Sequence, residues 1–270
     1  MTRFWPSQSL RCTPMDKRID MQVREYTREL HLSTIGKRYQ ELARKAAEES
    51  SGHEEYLCAM LREESEARRI KRVERMLSES RLPLEKTLET LELARLPSKV
   101  RQQLKPLIEG TFLAHKENVL IFGNPGSGKT HLLCAIGQEL IRNDKRVYFT
   151  TCAMLLQELL LAKRDLSLPK IIRRLNKYHA IIIDDIGYVR QDKEEMEVLF
   201  TLLAERYERG SVMITSNLPF SKWENIFKDP VMTAAAIDRI VHHSIILELN
   251  IPSYRMAHAK EKNRTTGKAK

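Results

Sequence analysis

The 270-residue sequence is poor in cysteine: Cys12, Cys58, Cys134 and Cys152 are far apart, and none forms a C-x-x-C pair. That spacing excludes a zinc ribbon or a disulfide framework and fits reduced, buried thiols. No apolar run approaches the roughly 18 residues that cross a membrane. The opening stretch MTRFWPSQSLRCTPMDKRID has no signal-peptide hydrophobic segment. From 17 to 80 there is no proline and only Gly36 and Gly52, which leaves helix as the reading of that segment. No zinc finger, aromatic RNA-binding motif or helix-turn-helix pattern occurs, so base-specific reading of nucleic acid is not expected.

What is present is a chain 42% apolar and 30% charged, enough for a folded core in one large domain or two ordinary ones. A net charge of +10 makes a polyanion or nucleotide a plausible partner. Residues 1–14 differ in texture from the rest of the chain and are expected to be disordered, with Met15 an alternative start. A charged helical domain is expected over 15–80, with breaks near His31–Ser33 and Ser50–Gly52 and Ser33 or Thr34 as a helix cap. Tyr56, Met60, Ala67, Ile70 and Leu77 recur at helical spacing, but the pattern fails near Glu63 and Glu74, which argues against a coiled coil. This domain is the expected contact for a partner protein, DNA or a neighbouring subunit. Residues 81–98 read as a linker, 99–256 as the main domain and 257–270 as a basic disordered tail.

The main domain alternates short aliphatic runs with helical stretches. NVLIF, RVYFTT, HAIIIDD, SVMITS and SIILEL are nearly continuous in apolar residues, as strands buried on both faces of a parallel sheet are. The fold class is therefore α/β, doubly wound. GNPGSGKT follows the first run and opens a helix, satisfying G-x-x-x-x-G-K-[ST] in the required context. Gly123, Asn124, Pro125, Gly126, Ser127, Gly128, Lys129, Thr130 and His131 are the expected nucleotide-binding residues. Main-chain amides cradle phosphate there, Lys129 reaches the β- and γ-phosphates, and the Thr130 hydroxyl ligates Mg²⁺. AIIIDD delivers Asp184 and Asp185 to the ligand edge of the sheet, Asp184 for Mg²⁺ and Asp185 for the attacking water. Asn217, past the fourth run, is either a turn residue before Leu-Pro or a γ-phosphate and water contact. Its place one strand after the aspartates favours the second reading.

GNPGSGKT, AIIIDD, ITSN and AIDRI in this order resemble the AAA+ ATPases of the DnaA/DnaC initiator group. YTRELHLSTIG, RLPLEKTLE, TSNLPFSKW, AAIDRIVHHS and SYR narrow the resemblance to the IstB family, helper ATPases of insertion-sequence transposition, over about residues 15–256. The resemblance implies an AAA+ P-loop core with a five-stranded parallel sheet, a small all-α domain before it and no C-terminal helical lid. It implies ATP and Mg²⁺ as cofactors, hydrolysis of ATP, assembly as a homo-oligomer on double-stranded DNA, a partner transposase, and a cytoplasmic, nucleoid-associated location. Catalytic roles pass to Asp185, Asn217 and Arg239, the last as a finger completing a neighbour's site. Arg255 is a candidate sensor. A helicase loader of the DnaC type is the alternative, and Asp185 stands where many AAA+ enzymes have Glu.

From Arg142 to Lys177 there are nine Lys or Arg against three acidic residues. Lys163, Arg164, Lys170, Arg173, Arg174 and Lys177 are the candidate contacts to DNA backbone, in a stretch similar to the helical insertion of initiator ATPases. Adjacent His242 and His243 suggest a metal site, but neighbours on a helix point about 100° apart and no third ligand is near, so packing is the expected role.

Overall fold

The computed structural model describes residues 14–186, 193–219, 222–223, 238 and 240–254. It contains two compact units, 1–72 and 73–270.

The first unit comprises α1 (Pro14–Glu29), α2 (Ser33–Glu48) and the start of α3 (His53–Ser80). His31 (φ 54°) and Ser50 (φ 55°) adopt left-handed backbone at the two expected breaks. Neither Ser33 nor Thr34 caps a helix with its side chain, because α2 already begins at Ser33. Glu64 of α3 does the capping: its Oε2 accepts from Thr34 N at 2.8 Å and Ile35 N at 3.1 Å. Arg68 holds the other oxygen at 2.8 Å and donates to His31 O at 2.7 Å. A carboxylate over a helix N-terminus complements both the free amides and the dipole. Burial pushes the Glu64 carboxyl up, but Arg68 and the two amides outweigh it and hold it below the usual range. The stability it contributes is therefore present above the ordinary carboxylate pKa and is lost as pH falls through the depressed one. Glu64→Ala is expected to cost about 1–2 kcal/mol in urea unfolding followed by helix ellipticity. Ile70, expected on the apolar stripe, is exposed, as are Leu57 and Leu61 on α3, Ile19 and Tyr26 on α1 and Leu30 just after it.

In the second unit α4 (Ser98–Glu109) and α5 (Thr111–Ala114) precede β1 (Asn118–Gly123). Then come α6 (Lys129–Arg142), β2 (Val147–Thr151), α7 (Cys152–Arg164), α8 (Leu168–Leu175) and β3 (Ala180–Ile186). The last described elements are α9 (Lys193–Arg206), β4 (Ser211–Ser216) and β5 (Ser244–Leu249). All five strands are parallel, in the order β2-β3-β4-β1-β5. Alternate residues serve two cores. Val119, Ile121, Ile182 and Met213 face α6 and α4, whereas Leu120, Ile181, Ile183 and Ile214 face α7, α8 and α9. Burial on both faces is why the strands read as unbroken apolar runs.

Residues 81–98, expected as a linker, bury Leu82, Leu91 and Leu96 in the first of these cores. Gln138 of α6 donates to Pro83 O and Lys86 O, binding that segment along the helix. Asn118 fastens the other sheet edge: its side chain donates to Ile240 O at 3.0 Å and accepts from Val212 N at 2.9 Å. Arg206 is 1% exposed and donates to the carbonyls of Leu175, Tyr178, His179 and Ser211. Cys134 and Cys152 are buried, the Cys134 thiol pushed up to about 12 by burial. Cys58 is exposed, against expectation, on a helix face that α2 does not cover. Cys12 lies outside the described residues. Among the described residues, no helix is long and apolar enough to cross a membrane.

Candidate nucleotide site

Because β4 lies between β1 and β3, the ends of three strands converge on one point. β1 runs into the loop 124–128, whose Gly126 (φ 77°) and Gly128 (φ 92°) take backbone that side chains resist, turning the chain into the N-terminus of α6. Lys129 is 6% exposed. Its ammonium donates to Gly123 O at 2.9 Å, Asn124 O at 3.0 Å and Asn217 Oδ1. An ammonium only donates, so it takes the amide oxygen of Asn217 and leaves the Nδ2 group for Asp185 Oδ1, 3.0 Å away. Asn217 thus joins the cation to the second aspartate.

The first aspartate is held separately. Thr130 Oγ1 lies 2.9 and 3.1 Å from the two Asp184 oxygens, and Thr215 Oγ1 lies 2.7 Å from Oδ1. Asp185 sits one residue on in left-handed backbone (φ 66°). Lys129, Thr130, Asp184, Asp185 and Asn217 are therefore one hydrogen-bonded constellation. Asn124 and Pro125 form the exposed crest of the loop. Ser127 is buried with its Oγ unpartnered among the described residues, a free hydroxyl inside the phosphate loop. The hydroxyl and carboxylate of Thr130 and Asp184 are the hard oxygen donors that suit Mg²⁺ completed by phosphate and water.

The cleft of about 430 Å³ around these groups is also lined by Lys86, Thr90, Leu91, Glu92 and Tyr254, which sequence reasoning missed, and by the expected His131. His131 Nε2 is 2.9 Å from Thr87 O and 3.1 Å from Thr90 Oγ1, so the helix that starts the phosphate site also grips the preceding segment. Tyr254 donates its amide to Gly126 O at 2.9 Å and its hydroxyl to Glu92 O, with Arg95 3.8 Å above its ring. The signal was present in RLPLEKTLE, the TLE that follows it and SYR, but the meeting of Glu92 and Tyr254 across 162 residues is set by the fold. Thr215 was also missed, within the ITSN phrase that supplied Asn217.

The basic candidates lie on α7, α8 and the turn after α8. Lys163 is paired with Glu197 at 2.9 Å and Arg174 with Glu158. Arg164, Lys170, Arg173 and Lys177 are exposed. His242 and His243 are exposed and meet edge to face, with ring centroids 4.3 Å apart. Among the described residues no group of His, Cys, Asp or Glu is assembled to hold a metal. Arg239, Arg255 and the segment where a lid would follow lie outside the described residues.

A parallel sheet in this order, with a phosphate loop after β1 and paired aspartates near the C-terminal end of β3, is an AAA+ P-loop fold. The family profile of IstB-like ATP binding proteins matches residues 26–262. An insertion sequence ATP-binding protein of Sinorhizobium fredii is 42% identical over 89% of this chain and 81% of its own length. The IS21 insertion sequence ATP-binding protein of Pseudomonas aeruginosa is 34% identical over 87% and 88%. The chain belongs to the IstB-like ATP-binding family. In fold it is similar to AMPPCP-bound DnaA from Aquifex aeolicus (TM-score 0.54, 18% identity, 68% of this chain and 56% of that one). DnaI is also similar (TM-score 0.52, 22% identity, 62% and 94%).

Proposed function

We propose that this protein is an oligomeric ATPase that assembles on double-stranded DNA in the cytoplasm, at the nucleoid, and assists an insertion-sequence transposase. The observation that carries the ATPase reading is the single constellation of Lys129, Thr130, Asp184, Asp185 and Asn217 at the mouth of the phosphate loop. Family membership, rather than fold, favours a transposase over a replicative helicase as partner.

In this reading the triphosphate lies along the loop amides from Gly123 to His131, with the nucleoside toward Leu91 and Tyr254. Thr130 and Asp184 would hold Mg²⁺, which supplies charge neutralisation at the β- and γ-phosphates. Lys129 exchanges its carbonyl and Asn217 contacts for phosphate oxygens. Asn217, released from Lys129, faces the γ-phosphate while keeping Asp185 aimed at the attacking water. Asp185 accepts that water's proton as the water oxygen bonds to the γ-phosphorus and the bond from that phosphorus to the β–γ bridging oxygen breaks, releasing ADP and inorganic phosphate. Arg239 supplies a guanidinium to a neighbour's site. Arg255 is proposed as a sensor close to Tyr254. Arg164, Lys170, Arg173 and Lys177 remain the stronger backbone contacts, since Lys163 and Arg174 already have carboxylate partners. The exposed apolar residues of α1 and α3 support the helical unit as the site of protein contact.

The test is Asp185→Asn. ATP affinity should stay within about threefold while DNA-stimulated phosphate release falls by about 100-fold or more. The protein should also remain on DNA in ATP. Release from DNA in ATP would overturn the water-positioning role, and a wild-type protein without DNA-stimulated hydrolysis would overturn the ATPase reading.

A further inference from the structure

β3 and β4 pair Ile183 with Ile214 and Ile186 with Ser216, so Asp184 and Asp185 together face the one residue Thr215. This is a bulge, and it coincides with the left-handed backbone of Asp185. The extra residue leaves the ladder one rung short, and a side chain fills the gap. Thr215 is 1% exposed, and its Oγ1 accepts from Asp185 N at 2.7 Å. The same oxygen lies 2.7 Å from Asp184 Oδ1. A hydroxyl has a single proton, and the amide has taken a lone pair, so the proton goes to the carboxylate.

We propose that Thr215 is a positioning residue of the ATPase site. Its hydroxyl fixes the metal-side carboxylate of Asp184 and the backbone that aims Asp185, locking the two to each other. Among the described residues only Thr130 and Thr215 donate side-chain hydrogen bonds to Asp184. If Thr130 were committed to Mg²⁺, Thr215 would be the remaining side-chain donor to Asp184 among the described residues. The β-branched side chain suits a strand buried on both faces, and its methyl fixes the rotamer that presents the oxygen to both partners. Valine would keep that shape and strand propensity and remove both hydrogen bonds, the one from the Asp185 amide and the one to Asp184.

The inference rests on the ATPase reading above, and the test separates the two. Thr215→Val, Thr215→Ser and Thr215→Ala are compared with the wild type in three measurements. These are amide exchange at Asp185 without nucleotide, binding of a fluorescent ATP analogue with and without Mg²⁺, and steady-state phosphate release. For Thr215→Val, exchange at Asp185 should accelerate, and affinity without Mg²⁺ should stay unchanged. The Mg²⁺ concentration for half-maximal binding should rise about tenfold, and kcat should fall by about tenfold or more with little change in KM. Serine should restore all of these. Wild-type exchange and Mg²⁺ dependence in Thr215→Val would overturn the proposal. A serine variant as defective as valine would also overturn it, assigning Thr215 to packing alone. If valine does not fold, the serine–alanine pair carries the same comparison. If the wild type releases no phosphate, the ATPase reading fails while exchange and Mg²⁺-dependent binding still decide the role of Thr215.

Discussion

Replacing Lys129 by alanine is expected to remove nucleotide binding: a rise in melting temperature with ATP, expected of the wild-type protein, should be absent in the variant. Lys129 is buried, at 6% exposure, and three oxygens hold its ammonium in place before any phosphate arrives. A buried cation already aimed at the loop needs little reorganisation to meet a phosphate, and charge-assisted contacts in such a site are the strong ones. The expected loss is at least about 100-fold in affinity, close to 2.8 kcal/mol. Thr130, Asp184 and the loop amides remain, but they leave the triphosphate's charge without its enclosed counter-charge. Lys129→Arg should fare little better, because a planar fork cannot occupy the space of a compact ammonium. Titration with a fluorescent ATP analogue measures the loss directly, and binding within about threefold of wild type would remove Lys129 from the phosphate site.

The second large effect concerns stability. Arg206→Met should lower the unfolding free energy by about 2–4 kcal/mol. Arg206 sits at the end of α9 and gathers the last carbonyl of α8, the carbonyls of Tyr178 and His179 before β3, and the first of β4. Among the described residues no carboxylate pairs with it; burial pulls its guanidinium down to about 10, so it is charged at neutral pH. Carbonyl dipoles pointed at one cation, including a helix C-terminus, offset the cost of burying it. Methionine keeps most of the volume and strands four acceptors. Glycine at 210 is part of the same arrangement, since a Cβ there would collide with the guanidinium. Thermal unfolding that shifts by less than about 2 °C would show that the carbonyls find water instead.

The sheet and the primary site residues were legible because their signals are local. Each strand is a run of apolar residues, and the phosphate loop is a contiguous motif whose spacing is its geometry. Asp184 and Asp185 were readable as a pair, but Thr215 was not, because a bulge is a property of two strands in register. The cleft lining from Lys86 to Glu92 was hidden for a related reason: RLPLEKTLETLE reads as a linker until α6 is present to accept Leu82 and Leu91. Helix capping by Glu64 escaped because its two amide partners lie 30 and 29 residues away in sequence. Ser33 and Thr34, the local candidates, were the natural choice on the same physics.

The strand order has a consequence for how the protein is made. In the finished sheet β1 touches only β4 and β5, whereas β2 and β3 pair with each other. As the chain leaves the ribosome, β2 and β3 can join as soon as both are out, but β1 and the loop behind it wait for residues 211–216. A nascent chain stopped before β4 would carry GNPGSGKT and both aspartates intact and still hold no nucleotide. Nucleotide capture is therefore expected only after β4 has emerged.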